Sequence, residues 1–182
     1  MATHYNEVKL KNGMDLIQRN AEEKDAEQMI KYLNIIGGES DNLLFGKDGF
    51  RLNLEQEREY LKSAKDDPNS LMLLGFIDDN IVSVAHIIAS NRARIAHNSE
   101  ISISVKKEYW HMGIGHAQMN ELITYAKNNG KTRNITLGVR HVNKNAIKLY
   151  EKCGFTKVGV HKNFFNNDGT FYDEILMDLF LY

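Results

Sequence analysis

Two glycines stand where the sequence changes from a strand pattern to a helix pattern. Gly113 and Gly115 lie in the stretch from Val105 to Ala117, and a helical periodicity runs from about Gly115 to Asn128. Small residues at such a position let backbone N–H groups approach a phosphate closely, and the helix N-terminus favours negative charge. The pattern indicates a pyrophosphate site, although paired glycines before a helix are also ordinary turn chemistry.

Two common nucleotide-binding motifs do not fit this loop. A dinucleotide fingerprint requires a third glycine where Gln118 stands, and a P-loop ends in Gly-Lys-Ser/Thr, which is absent here. The sequence therefore predicts a phosphate site of a different type.

A second segment, from Asn143 to Phe155, has the signals of a short helix. Asn143 is a suitable N-cap and Gly154 a suitable residue after the C-terminus. The residues between them also fit simple packing against a sheet. Their combination with the glycine loop at this distance is what makes the segment informative.

Together the two segments resemble the GNAT superfamily of N-acetyltransferases, in its bacterial form, from about Met14 to Leu181. The family's acetyl-CoA loop, Arg/Gln-x-x-Gly-x-Gly/Ala, falls on Trp110, Gly113 and Gly115, with Trp110 in place of the usual Arg or Gln. The family's second motif, Asn-x-x-Ala-x-x-Leu-Tyr-x-x-x-Gly-Phe, is matched at Asn143, Ala146, Leu149, Tyr150, Gly154 and Phe155.

The resemblance implies that acetyl-CoA binds as co-substrate in a V-shaped opening between a strand at Glu100–Lys106 and one at Ile135–Val139. Pantetheine would pair with the first strand, the loop would bind pyrophosphate through N–H groups, and Asn143 would contact the pantetheine arm. The implied cofactor-binding residues are Ile103, Ser104, Val105, Trp110, His111, Met112, Gly113, Ile114, Gly115, His116, Asn143 and Ala146.

The implied reaction is direct attack of an acceptor amine on the thioester. Alkyl amines are mostly protonated at neutral pH, so a base must remove a proton, and Glu100 is the candidate by position. A strand-end carboxylate in solvent is the alternative for Glu100. Tyr150 takes the family's general-acid position, its alternative being an aromatic packed on the sheet. A backbone N–H near Val105 would stabilise the oxyanion.

Less specific features surround these residues. Lys144, Lys148 and Lys152 share one helix face and would either meet the 3′-phosphate of CoA or form a solvated stripe. Tyr172 and Asp173 are placed near the acceptor amine by family topology alone. The seven histidines lack a ligand set at metal spacing, so no metal is expected.

The elements that must position these residues alternate between strands and helices. Helices are predicted at about Ala21–Ile36, ended by Gly37-Gly38, and at Leu54–Ala64, Gly115–Asn128 and Asn143–Lys152. Strands are predicted at Met14–Arg19, Leu71–Ile77, Ile81–Ala89, Glu100–Lys106, Ile135–Val139, Thr156–Phe165 and Thr170–Leu181. The expected fold class is α/β, a single domain over 1–182 with a mixed, mostly antiparallel central sheet, flanked by helices and splayed at its central strands.

Composition narrows the function classes. One cysteine, no signal-peptide pattern and no apolar run near ~20 residues favour a cytoplasmic protein without a membrane partner. A sequence pI of about 6.7 disfavours a nucleic-acid partner. The net charge of −1 hides a split: residues 1–90 carry −6 and residues 91–182 carry +5, which suits a cationic acceptor and a phosphate-rich cofactor respectively.

The sequence thus predicts an acetyl-CoA-dependent N-acetyltransferase acting on a small amine, such as a polyamine, an aminoglycoside or an amino acid. Protein N-terminal acetylation of the ribosomal-protein type and a non-catalytic acyl-CoA-binding module remain the alternatives. A homodimer is a possible assembly.

Overall fold

A computed structural model of the chain describes residues 4–47 and 49–182. Its strands are β1 Tyr5–Lys9, β2 Asp15–Asn20, β3 Ser70–Ile77, β4 Asn80–Ala89, β5 Asn98–Val105, β6 Asn134–Arg140, β7 Thr156–Asn167 and β8 Thr170–Phe180. The α-helices over the same residues are α1 Ala26–Glu39, α2 Leu54–Asp66, α3 Ile114–Asn128 and α4 Lys144–Lys152.

All eight strands form one sheet in the order β1-β2-β3-β4-β5-β6-β8-β7. Neighbours are antiparallel except for β5 and β6, which are parallel. The predicted mixed, mostly antiparallel sheet is confirmed. Because β8 pairs with β6 and β7 lies outside it, the last strand of the chain enters the sheet beside the parallel pair.

Helices cover both faces of the sheet. The side chains of β3 alternate, so that Leu71 and Leu73 join a core beneath α3 and α4, whereas Met72 and Leu74 join a core beneath α1 and α2. The period of two along each strand therefore supplies two hydrophobic layers from one set of strands. We call the first side the α3/α4 face and the second the α1/α2 face.

The N-terminal helix differs from its prediction. α1 begins at Ala26, after a short 3-10 turn, and continues through Gly37 and Gly38 to Glu39. A Cβ at Gly37 would lie 2.6 Å from the carbonyl oxygen of Gly46. Gly37 thus serves close approach of the following loop to the helix, and the prediction that the two glycines end the helix was wrong.

β1 was not predicted at all. It is a short edge strand whose residues alternate between half-buried and exposed, with polar side chains throughout except Val8.

None of the helices in residues 4–47 and 49–182 has the length and apolarity needed to cross a membrane.

Candidate active site

The centre of the site is a gap between the two parallel strands. β5 and β6 pair only at Asn98 with Asn134, Ser99 with Ile135 and Glu100 with Thr136. β5 remains paired with β4 through Val105, and β6 with β8 through Arg140. The strands therefore separate after Glu100, and the V-shaped opening expected from the resemblance is present.

Backbone groups of β5 point into this opening. Ser90 N–H donates to Asn98, and Lys106 N–H donates to Val82, so the even-numbered residues of β5 bond to β4. The N–H and C=O groups of Ile101, Ile103 and Val105 consequently face the side from which β6 has withdrawn.

Ser104 differs from the two residues that flank it. Its backbone belongs to the β4 ladder, and its hydroxyl lies 2.9 Å from the hydroxyl of buried Tyr32 in α1. Of the three strand residues predicted to pair with pantetheine, Ile103 offers both of its backbone groups in the opening. Val105 offers only its N–H, because its carbonyl accepts a hydrogen bond from Trp110. Ser104 reaches the site with its side chain, on the α1/α2 face.

The glycine loop ends in a helix N-terminus beside the opening. Gly113 is the N-cap of α3 with a φ of 92°, and His111 also has a positive φ of 64°. Among the residues that the structure describes, the N–H groups from His111 to His116 have no backbone acceptor. Free N–H groups at the positive end of a helix form an anion-binding site, as the sequence predicts for pyrophosphate.

The side chains of this loop have structural roles. The Nε1 of Trp110 donates to the carbonyl of Val105 over 2.7 Å, Met112 and Ile114 pack in a third apolar cluster, and His116 Nδ1 lies 3.1 Å from Asn120 Nδ2. The loop therefore presents backbone to the cleft, and Trp110 fastens it to β5.

α4 closes the opening from the α3/α4 face. Asn143 is its N-cap and accepts a hydrogen bond from the N–H of Ala146 at 3.2 Å. Leu149 packs beside Gly115, where an added Cβ would lie 3.0 Å from Leu149 Cδ2. The glycine thus permits close packing of α3 and α4 at the mouth of the cleft, which the side chains of Lys144, Lys148 and Lys152 also line.

Tyr150 lies on the inner side of α4 and lines the opening, with 8% of its surface exposed. Burial, and to a smaller extent Cys153, raises the pKa of Tyr150 to about 12. Its hydroxyl makes no hydrogen bond to the residues that the structure describes. A phenol in this setting stays protonated at neutral pH and retains a proton to donate.

Glu100 lies on the opposite face of the sheet from Tyr150. As an even-numbered residue of β5 it shares the α1/α2 face with Ser104, and its side chain is exposed to the cleft. The two predicted catalytic side chains therefore approach the gap from opposite faces. This arrangement allows a proton to be removed on one side while another is delivered on the other.

Two further charged residues stand on the α1/α2 face and were missed by sequence reasoning. Glu174 of β8 pairs with Arg140 of β6 in the strand register, and both line the same cleft. Glu174 Oε2 lies 2.9 Å from Nδ1 of His161, and its carboxylate occupies the space that a side chain on Gly138 would fill. Residue parity along β6 could have placed Arg140 on this face, but no sequence signal shows that β8 lies beside β6.

Neither of the two hairpin residues predicted near the acceptor amine is among the residues that line the cleft. Tyr172 lies beneath the Arg140 guanidinium, 3.6 Å from its ring centroid. Asp173 is turned away: its carboxylate binds Lys162 Nζ and the N–H of Asn163, which lower its pKa. Within the described residues, no three His, Cys, Asp or Glu side chains come together as a metal-binding group.

All fourteen predicted site residues line one cleft of about 1250 Å³. That volume exceeds the roughly 300–1,000 Å³ usual for a small-molecule pocket, which suits a long cofactor together with a second substrate. The free backbone edge of β5, the N–H groups of the loop and the lysines of α4 fit the pantetheine and phosphates of acetyl-CoA.

Comparison with known proteins agrees with this geometry. The sequence profile of the acetyltransferase (GNAT) family matches residues 42–155. The chain belongs to the GNAT family. Family membership makes it an acyltransferase, dependent on acetyl-CoA.

Individual relatives include an L-amino acid N-acetyltransferase, AaaT, of Escherichia coli strain K12, which is 30% identical over 112 residues, 62% of this chain and 69% of that protein. A GNAT-family acetyltransferase structure from Streptococcus pneumoniae has 31% identity and a TM-score of 0.88, covering 91% of this chain and 99% of that one. The Salmonella typhimurium yncA structure, solved with acetyl-CoA, shares the fold at a TM-score of 0.80 and 16% identity, covering 92% of this chain and 94% of that one.

Proposed function

We propose that this GNAT-family enzyme transfers an acetyl group from acetyl-CoA to the amine of a small molecule, with Glu100 as base and Tyr150 as acid. The observation that carries the proposal is the gap between β5 and β6, which both side chains line from opposite faces. The E. coli relative, named for L-amino acids, supports a small acceptor.

Acetyl-CoA, when bound, supplies an acetyl thioester. The amine nitrogen forms a bond to the acetyl carbon, the carbon–sulfur bond breaks, and its electron pair goes to sulfur. Glu100, directly or through water, takes the proton that the amine loses. Tyr150 gives its proton to the departing thiolate and regains one from solvent.

Glu100 is preferred to Glu174 as base because its carboxylate is free. His161 Nδ1 lies 2.9 Å from Oε2 of Glu174, so one oxygen of that carboxylate is already engaged. Within the described residues Glu100 has no ion-pair partner. The N–H of Val105, which faces the gap, supplies a donor for the oxygen that gains charge during attack.

The test is an acceptor panel of amino acids, polyamines, aminoglycosides and N-terminal peptides, read by thiol release from acetyl-CoA. We expect one class of small amine to raise release well above the rate without acceptor. Selective use of peptides would instead favour N-terminal protein acetylation. Tight CoA binding without stimulated release by any amine would identify a non-catalytic CoA-binding module and overturn the proposal. Cytoplasmic location and homodimer formation stay predictions.

A further inference from the structure

Arg140 carries a buried positive charge at the end of β6. Only 5% of the residue is exposed, and its guanidinium carbon Cζ lies over the Tyr172 ring, 3.6 Å from the centroid. Nη1 donates to the backbone carbonyl of Asp41 over 2.8 Å. One of the three guanidinium nitrogens is therefore bonded to the loop that follows α1.

The other edge of the guanidinium has no partner. Nε is buried without a hydrogen bond, Nη2 makes none to the residues that the structure describes, and no described carboxylate lies within 4.0 Å. Desolvated charges are costly unless they are paired. The Nε–Nη2 edge matches the two oxygens of a carboxylate, the pairing for which arginine is best suited.

Neighbouring residues define what such a carboxylate would belong to. Arg140 lines the same cleft as Glu100 and Glu174, on the same face of the sheet. Glu174 occupies the space over Gly138, two residues before Arg140, and that interval along a strand is roughly 7 Å. The amine of the acceptor would lie near the two glutamates and its anionic group at Arg140. A small acceptor that carries both charges a few bonds apart fits this spacing.

We propose that Arg140 selects the acceptor by binding its carboxylate, so that the preferred substrates are free amino acids. The inference rests on the proposed acetyltransferase function and narrows it. A polyamine or aminoglycoside brings further positive charge toward a buried guanidinium, which disfavours those acceptors. Tyr172 positions Arg140 and makes no direct contact of its own with the carboxylate.

The test compares each of the twenty amino acids with the amine that its decarboxylation leaves, by thiol release from acetyl-CoA. We expect the best amino acid to exceed its matched amine by at least a hundredfold in kcat/KM. Equal or better use of the matched amines, or preference for peptides with a distant carboxylate, would overturn the role of Arg140. Absence of stimulated release with every amine would instead refute the proposed function itself.

Variants of Arg140 separate recognition from folding. Arg140→Gln should lower the ratio of kcat/KM for the best amino acid to kcat/KM for its matched amine by about a hundredfold. Arg140→Lys, which keeps the charge but not the two-donor edge, should give an intermediate loss for the amino acid. An equal loss for both acceptors with either variant would show that Arg140 is only structural. If the glutamine variant does not fold, the wild-type panel and the lysine variant still test whether Arg140 recognises the acceptor's carboxylate.

Discussion

The indole Nε1 of Trp110 donates a hydrogen bond to the backbone carbonyl of Val105 across 2.7 Å. This contact joins the loop proposed to bind phosphate to the strand whose free edge faces the opening. We infer that Trp110, which departs from the family's loop motif, supports cofactor binding by holding the loop in place.

Trp110→Phe keeps an aromatic ring but removes this donor. One hydrogen bond contributes about 0.5–1.5 kcal/mol, so we expect the Kd for CoA to rise about three- to tenfold, with kcat little changed. Isothermal titration with CoA measures the effect. An unchanged Kd would show that the loop keeps its position without the indole.

Gly113→Ala tests the left-handed loop residue, where a Cβ meets no atom within 4 Å but φ is 92°. The backbone penalty is about 1–2 kcal/mol, and relaxation of the strain moves the N–H groups of the loop. We expect lower stability together with weaker CoA binding.

Gly130 provides a matched control because it also has a positive φ, 69°, and open space, beyond the far end of α3. Gly130→Ala should destabilise the protein similarly and leave CoA affinity unchanged. If both variants bind CoA alike, the geometry at Gly113 does not serve the phosphate site.

Tyr150→Phe removes the proposed acid and little else, because the hydroxyl makes no hydrogen bond within the described part of the chain. We expect kcat to fall about a hundredfold or more, while the Kd for CoA and the melting temperature stay near those of wild type. Tyr125→Phe, whose hydroxyl contacts the carbonyls of Pro68 and Ser70 outside the cleft, should retain full activity.

Glu100→Gln should lower kcat, measured by thiol release from acetyl-CoA, about a hundredfold if Glu100 is the base. Glu174→Gln, which leaves Glu100 intact, should reduce kcat much less. The reverse ranking would transfer the role of base to Glu174 and its partner His161.

Glu57 of α2 makes stability depend on pH. It is buried, neither carboxylate oxygen has a partner among the described residues, and burial raises its pKa to about 7. The folded state therefore holds this proton more tightly than the unfolded chain. Burial of the charged Glu57 carboxylate therefore lowers the free energy of unfolding by its full amount above pH 7. This penalty disappears as the pH falls toward 4.5.

In urea denaturation at pH 8, the free energy of unfolding of Glu57→Gln should exceed that of wild type by roughly 2–3 kcal/mol. At pH 5 the two free energies should be nearly equal. Exposed Glu59 offers the control, since Glu59→Gln should not change the difference between the two pH values. Identical urea denaturation curves for Glu57→Gln and wild type at pH 8 would show that the ionised Glu57 carboxylate does not destabilise the folded protein.

Local signals sufficed for much of the site. The glycine loop, the N-cap Asn143 and the alternation along β5 are encoded in neighbouring residues, and these segments form as predicted. Arg140 and Glu174 depend on which strands become neighbours, and the insertion of β8 beside β6 follows no local pattern. Gly37 was misread for a similar reason: its need for glycine comes from Gly46, which the tertiary fold brings against the helix.

The three-residue parallel ladder between β5 and β6 has a consequence for cooperativity. Within the described residues it is the only strand ladder between a five-stranded and a three-stranded portion of the sheet. Side chains of α3 and α4 pack across the same junction on one face, and Arg140 Nη1 donates to the carbonyl of Asp41 on the other. In the proposed binding mode acetyl-CoA lies along the unpaired edge of β5, so the co-substrate would also couple the unfolding of the two portions.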